Sequence, residues 1–300
     1  MINVAILGYG NLGKAVEKLV ADDQELHLVG IFSRRKLDCD NYFDADTILQ
    51  FAHKIDVVIV CTASVDETEK VVQKLAGKVN TVDTFDNHNR VAKHKQSLDC
   101  LAKQGKTTSI VSVGWDPGIL SMVRAICGVA KGNTQTFWGK GVSQGHSNAL
   151  KKVAGVVDGV QFTIPKRRYV ARARRGLFAS NSKSVCKRRC FVVATTKKGV
   201  KKRICGVKDY FEGYKTQVFF VGSKALARLK KRTAHKGRVV FVGKHAKMEF
   251  ALCTKSNALL TAEIALSYAK IIPTLQKDGY FGAFDCLDIP LKYLCKGGEL

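Results

Sequence analysis

The first half of the chain alternates two hydrophobic periods. Ile2 to Leu7 is a short apolar run, and Gly8, Gly10 and Gly13 then punctuate a turn leading into apolar positions at helical spacing: Leu12, Val16, Leu19 and Val20. Strand-like runs follow at Leu26 to Phe32, Asp56 to Cys61, Val79 to Val82 and Thr108 to Val113, with helix-like stretches between most of them. Such alternation predicts strands buried on both faces with helices covering them, an α/β doubly wound parallel sheet. After Gly114 the pattern changes. A helix is expected at about Leu120 to Val129, followed by strand-like runs at Val156 to Ile164, Cys190 to Thr195, Gln217 to Val221, Arg238 to Val242 and Met248 to Cys253. This half reads as a second, mixed α+β domain. A long helical pattern covers Ala258 to Leu275, and the following GAFDCLDIPLKYL is expected to return to the first domain. The expected division is therefore 1–117 with about 276–300, and 118–275.

Three hundred residues with 46% hydrophobic content suffice for two cores. No uninterrupted apolar run has the ~18 residues of a membrane span, and the chain enters its first strand without a basic-then-apolar leader. A cytoplasmic protein with no membrane partner is expected. The ten cysteines are scattered, several inside apolar runs, which points to reduced thiols. Cys186 and Cys190 lie closest together but lack further Cys or His at zinc-site spacing, so no metal is expected. Charge changes the picture more. Residues 151–250 hold 28 Lys and Arg against four Asp and Glu, while the rest holds 22 against 21, so one segment carries nearly all of the net +25. A solvated basic face, attraction to small dicarboxylates and a nucleic-acid surface are each compatible with that imbalance.

The turn GYGNLG fits G-x-G-x-x-G in its proper context, directly after a strand and opening a helix. Gly8 permits the tight turn, Gly10 lets the backbone approach a pyrophosphate, and Gly13 allows the helix to pack closely on the sheet. The helix N-terminus adds unpaired N–H groups. The second strand should end near a ribose 2′ position, where NAD sites usually carry Asp or Glu; here the residues are Ser33, Arg34 and Arg35. Guanidinium groups pair with a 2′-phosphate, so the expected cofactor is NADP. Cys61, Thr62, Ala63 and Ser64, then Thr84, Phe85 and Asp86, then Gly114 to Gly118 should follow at the ends of the next strands, facing the same crevice. Asp86 and Asp116 suit ligand contact and helix capping equally well. His88 and His146 read as structural or loop histidines.

With GYGNLG, SRR, VDTFDNH, GWDPG, FWGKGVSQGHSNAL and QFTIP, the chain resembles the meso-diaminopimelate dehydrogenase family, in nearly the same register from residue 1 to the closing GAFDCLDIPLKYL. The resemblance implies a Rossmann-type domain joined to a substrate-binding and dimerisation domain, working as a homodimer. It implies an enzyme: NADP-dependent oxidative deamination of the D-centre of meso-2,6-diaminopimelate to L-2-amino-6-oxopimelate and ammonia, reversible, in lysine and cell-wall precursor synthesis. Carried over residue by residue, it assigns Gly10, Asn11, Leu12 and Gly13 to the pyrophosphate and Ser33, Arg34 and Arg35 to the 2′-phosphate. Cys61 to Ser64, Thr84 to Asp86, and Trp115, Asp116, Pro117 and Gly118 complete the cofactor cleft. Substrate contacts fall on Asp86, Asp116, Trp138, Gln144, Gly145, Thr163, Arg188, His235 and Asn257, with Asp86 and Asp116 as the catalytic pair. These types suit a molecule with two ammonium and two carboxylate groups: the aspartates accept from the reacting ammonium, and Arg188, Thr163 and His235 donate to a carboxylate.

The departure from the family lies where the charge is. Its acidic and polar positions between about 166 and 236 are here largely basic, as in PKRRYVARARRG, TTKKGVKKR and LARLKKRTAHKG. The family's MPHGG becomes TAHKG and its GDTGG becomes GKHAK. Two other readings stand beside the main one: a Rossmann oxidoreductase acting on another amino or imino acid, and a basic nucleic-acid-binding protein on a Rossmann scaffold. Incidental polyanion binding through 151–250 is compatible with all three, although zinc-finger and helix-turn-helix signatures are lacking.

Overall fold

The computed structural model describes residues 1–38, 40–62, 65–208 and 210–295. The chain opens with β1 (Ile2–Leu7), α1 (Asn11–Ala21), β2 (Leu26–Ser33), β3 (Tyr42–Asp44), β4 (Val57–Val60), α2 (Val65–Leu75), β5 (Asn80–Asp83), α3 (Val91–Gln104) and β6 (Thr108–Ile110). It passes into the second unit within α4 (Ile119–Gly128). There follow β7 (Gly132–Trp138), β8 (Gly141–Val142), α5 (Gln144–Lys151), β9 (Val156–Pro165), α6 (Arg167–Arg174), β10 (Cys186–Ala194), α7 (Val200–Cys205), β11 (Lys215–Phe220), α8 (Ser223–Lys230), β12 (His235–Gly243) and β13 (Lys247–Thr254). The chain then returns with α9 (Asn257–Lys277) and β14 (Gly282–Phe284). One compact unit comprises Met1–Met122 with the described part of Ala258–Leu300, and the other Val123–Asn257.

The first unit is built on a seven-stranded sheet in the order β14-β6-β5-β4-β1-β2-β3, parallel throughout. Alternation within β1 explains the layers. Val4 and Ile6 join Val16 and Val20 of α1 on one face, while Ala5 and Leu7 join Val72, Leu75 and Leu98 of α2 and α3 on the other. A strand covered on both sides is apolar where it is buried, which is why β1 runs unbroken from Val4 to Leu7 after the partly buried Asn3. The short strands β3 and β14 carry too little periodicity to be seen in the sequence.

The long helix α9 differs from the expectation that placed 258–275 in the second domain. Ala262, Ala265, Leu266, Tyr268, Ala269 and Ile272 pack into the cluster formed by Val4, Ile6, Val57 and Ile59, so the helix belongs to the first unit. By length and composition this helix could span a membrane, with a mean hydropathy of 1.3 over 18 residues. Its apolar side chains instead cover one face of the sheet.

The second unit holds two sheets. One has the order β11-β10-β9-β8, with β10–β11 parallel and the other pairs antiparallel. The other is antiparallel, β13-β12-β7. Leu150, Val200 and Ile204 of α5 and α7 pack with Cys190 and Val192 on one face of the first sheet. Leu226 of α8 packs with Val160 and Phe162 on its other face. The helices α6, α7 and α8 escape a hydropathy reading because they are short and rich in Lys and Arg, each burying only one or two side chains.

Candidate active site

The turn after β1 has the form its glycines require. Gly8 sits at φ +99°, and a Cβ there would come within 2.9 Å of the Cys61 carbonyl oxygen. A Cβ on Gly13 would lie 2.2 Å from the Gly8 carbonyl oxygen, so α1 packs on the turn only because position 13 has no side chain. Gly10 is different. It is the N-cap of α1, and a Cβ there would meet nothing within 4 Å. Among the described residues nothing demands a glycine at position 10, and the open space in front of it suits the close approach of a ligand. No side-chain cap and no acidic residue occupy the first turn of α1, which suits a pyrophosphate at the amide end of the helix.

The end of β2 brings the predicted phosphate residues to the same turn. Ser33 is buried, and its Oγ accepts from the Arg35 amide at 3.2 Å. The Arg35 guanidinium donates to the Tyr9 carbonyl at 2.9 Å, tying this loop to the glycine turn. Arg34 is mostly exposed and pairs with Glu67 at 2.6 Å. Two guanidinium groups with a serine hydroxyl, and no carboxylate at the end of the strand, fit a 2′-phosphate better than a bare 2′-hydroxyl. Cys61 is buried, which pushes its thiol pKa up and keeps the sulfur neutral. The Thr62 hydroxyl hydrogen-bonds that of Thr68 at 2.7 Å. The predicted Ala63 and Ser64 lie outside the described residues.

Thr84, Phe85 and Asp86 follow β5 directly, and Trp115 to Gly118 follow β6, with Trp115 and Gly118 joined by a β-bridge. The two segments are braced by Asp83, which sequence reasoning passed over. Its Oδ1 accepts from the amides of Phe85 at 3.0 Å and Ser112 at 2.8 Å, and its Oδ2 pairs with His94 Nε2 at 2.8 Å. Both side chains are fully buried, and the His94 ring stacks on Phe85 at 4.4 Å. The sequence carried no signal for it, since β5 reads NTVD and only Val82 in it is apolar. The Asp116 side chain is fully buried, and its Oδ2 lies 3.9 Å from His88 Nε2. Surrounding protein raises the Asp86 pKa, partly offset by His88 and by its own amide. Asp86 also exposes surface to water, which tempers the raise. His88, read from sequence as a loop histidine, thus stands 3.9 Å from Asp116 and acts electrostatically on Asp86.

In the second unit, strand register assembles the site. Thr163 of β9 stands opposite Gly141 of β8 on one side and Arg188 of β10 on the other. A Cβ on Gly141 would fall 2.7 Å from His235 Cδ2, so the glycine lets the first residue of β12 close on this row. Arg188 is buried, donates from Nη1 to the Thr163 hydroxyl at 2.6 Å, and lies over the Tyr214 ring with its Cζ 4.2 Å from the centroid. Gln161 donates from Nε2 to the same hydroxyl at 3.1 Å. His235 Nδ1 is 3.0 Å from the Lys236 carbonyl oxygen, which fixes that nitrogen as the protonated one. Among the described residues no carboxylate forms an ion pair with Arg188, and Arg188 Nε, Gln161 Oε1 and His146 Nε2 are buried without a hydrogen-bond partner. Buried polar atoms are rarely left so, and an unpaired Nε on a buried guanidinium without a carboxylate suits an anionic ligand.

His146, read from sequence as a structural or loop histidine, lies close enough to this row to feel Arg188 and His235. Its Nδ1 is 2.6 Å from Ser143 Oγ and its ring meets Tyr210 edge-on. Burial, Arg188 and His235 all push its pKa well below the usual histidine range, so the ring is neutral. Gln161 was legible as the second polar residue, two before Thr163, on one face of an apolar strand. Nothing in the sequence marked Tyr214. Gln144 and Gly145 open α5, Trp138 ends β7 opposite Gly237, and the Asn257 amide donates to the Thr233 carbonyl at 3.1 Å.

Residues 114–256 match the family model described as the diaminopimelic acid dehydrogenase C-terminal domain. A meso-diaminopimelate D-dehydrogenase of Acetivibrio thermocellus is 36% identical, over 98% of this chain and 94% of its own. The chain belongs to the meso-diaminopimelate D-dehydrogenase family. The solved diaminopimelate dehydrogenase of C. glutamicum in complex with diaminopimelate superposes with a TM-score of 0.93 at 35% identity, covering 99% of this chain and 96% of that one. An engineered D-amino acid dehydrogenase bound to NADP+ gives 0.93 at 33% identity, covering 99% and 97%. The Lys and Arg residues of 166–175 and 197–203 are mostly exposed, whereas Arg188 is buried.

Proposed function

We propose that this enzyme catalyses the NADP-dependent oxidative deamination of meso-2,6-diaminopimelate at its D-centre, giving L-2-amino-6-oxopimelate and ammonia. The observation that carries the reading is the buried Arg188 with Thr163 and His235 and no carboxylate partner among the described residues, in a chain related over its whole length to enzymes of that name. That arrangement suits one carboxylate of a dicarboxylic amino acid.

The glycine turn, Ser33, Arg34 and Arg35 hold NADP, and bound NADP+ supplies the hydride acceptor. Asp86 and Asp116 accept from the reacting ammonium and take up the proton that must leave before hydride can depart from its Cα. The raised pKa of Asp86 makes it a stronger base than an ordinary carboxylate. Water then adds to the imine and ammonia leaves. Arg188, Thr163 and His235 hold the far carboxylate, and Trp138, Gln144, Gly145 and Asn257 line the substrate.

The test is NADP+ reduction by meso-diaminopimelate compared with its LL and DD isomers, and with NAD+ in place of NADP+. Turnover with the meso isomer and NADP+ is expected. No turnover with any isomer, or equal use of the two cofactors, refutes the reading. The same proposal includes a homodimer, and weak polyanion attraction through residues 151–250. Replacing Lys197, Lys198, Lys201 and Lys202 together with Gln should leave turnover within about twofold and lower heparin retention, because exposed charges are screened beyond ~8 Å at physiological salt.

A further inference from the structure

We propose that Gln161 and Tyr214 are positioning residues that turn the Arg188–Thr163 pair into a donor-only face, and that this face selects a substrate whose far end is anionic. The inference rests on the proposed function and adds to it how the selectivity is built. A threonine hydroxyl has two acceptor sites and one proton to give. Arg188 Nη1 at 2.6 Å and Gln161 Nε2 at 3.1 Å both donate to Thr163 Oγ1. Both acceptor sites are thereby filled, and the hydroxyl proton is left to point at an acceptor. Without Gln161 one lone pair returns, and the hydroxyl could accept from an ammonium as readily as donate to a carboxylate.

Tyr214 does the complementary work on Arg188. With the guanidinium carbon 4.2 Å from the centroid, the ring carries the buried cation on its π face, and the bond to Thr163 limits rotation within that plane. Tyr214 is itself held, since its carbonyl accepts from the Thr216 hydroxyl at 3.3 Å and Lys183 Nζ lies 5.7 Å from its ring. Thr216 stands opposite Arg188 in the register, so ring and guanidinium are set by the same strand pair. A bidentate carboxylate needs a fixed donor plane, and the ring supplies it.

The experiment measures steady-state kinetics of Tyr214→Leu, Tyr214→Phe, Gln161→Leu and Gln161→Glu with meso-diaminopimelate at saturating NADP+. Calorimetric Kd values for meso-diaminopimelate with the enzyme–NADPH complex, which cannot oxidise the substrate, accompany them. Tyr214→Leu and Gln161→Leu should each raise KM and Kd by about tenfold with kcat within twofold, and Tyr214→Phe, which keeps the ring face, should stay within twofold of wild type. Gln161→Glu places a carboxylate beside Arg188 and should raise KM at least as much as Gln161→Leu. The proposal is overturned if kcat falls at unchanged KM, if Tyr214→Phe is as impaired as Tyr214→Leu, or if Gln161→Glu leaves KM unchanged. A leucine variant that fails to fold, seen by circular dichroism, leaves the phenylalanine and glutamate variants to decide. If the wild type does not reduce NADP+ with meso-diaminopimelate the proposed function falls, and the clamp is still judged by the Kd values.

Discussion

On the proposed reading the two units recognise charge by different means. In the first, the phosphate-binding turn is made by backbone: Gly8 at positive φ, Gly13 against the Gly8 carbonyl, and space in front of Gly10. In the second, recognition comes from buried side chains contributed by separate strands, Thr163, Arg188 and His235, with Gln161 and Tyr214 supporting them. A backbone cradle binds any group of the right shape and charge. A cluster of side chains in fixed register can instead distinguish one end of a substrate from the other, at the risk that losing one member leaves a buried charge unpaired. The charge surplus follows the same division: it lies almost wholly in the second unit, yet among the described Lys and Arg residues of that unit only Arg188 is buried.

The largest expected effect is at the proposed catalytic carboxylates of the first unit. Asp86→Asn or Asp116→Asn should lower kcat by about 10²- to 10⁴-fold, the usual reach of acid–base catalysis, while NADP affinity stays within a few-fold. Full turnover in both variants at saturating substrate would remove them from the mechanism. Next in size, Arg188→Met should raise KM for meso-diaminopimelate on the order of a hundredfold, because a desolvated carboxylate loses its charged partner. An unchanged KM would place the far carboxylate elsewhere. Replacing Arg34 and Arg35 together with Ala should weaken NADP binding by about 1.5 to 3 kcal/mol per charged hydrogen bond lost and leave NAD nearly unaffected. Fluorescence titration with both cofactors checks this, and equal weakening of the two would contradict the phosphate role.

The smallest effect concerns His146 and is read in stability. Burial, Arg188 and His235 hold its folded-state pKa well below the ordinary value, so as pH falls below about 6.5 the unfolded chain takes up a proton that the folded one resists. The unfolded state then binds more protons, stability rises with pH across this window, and the contribution is lost on acidification. The slope from one such group is at most about 1.4 kcal/mol per pH unit. Urea denaturation at several pH values between 5 and 7 should give a shallower slope for His146→Asn than for wild type. Parallel slopes would mean that the ring titrates normally in the folded protein.

What the sequence determined by itself is local. A strand covered on both faces is apolar where it is buried, and a phosphate turn must place glycines at fixed offsets, so β1, GYGNLG and the parallel sheet around them were readable from Ile2 onward. SRR at the end of β2 was legible for the same reason: its meaning depends on where the strand stops. Tertiary structure decided what depends on contacts between distant segments. The amphipathic pattern of α9 shows that it is buried but not against which sheet, and its packing on Val4 and Ile6 assigns it to the first unit. Asp83 and His94 look unremarkable until the fold buries them together. Thr163 and Arg188, 25 residues apart, become neighbours only through the β9–β10 register, and Tyr214 reaches Arg188 only because β11 pairs with β10. Register between strands is fixed by the whole packed sheet, and a one-residue slip would turn every one of these side chains to the other face.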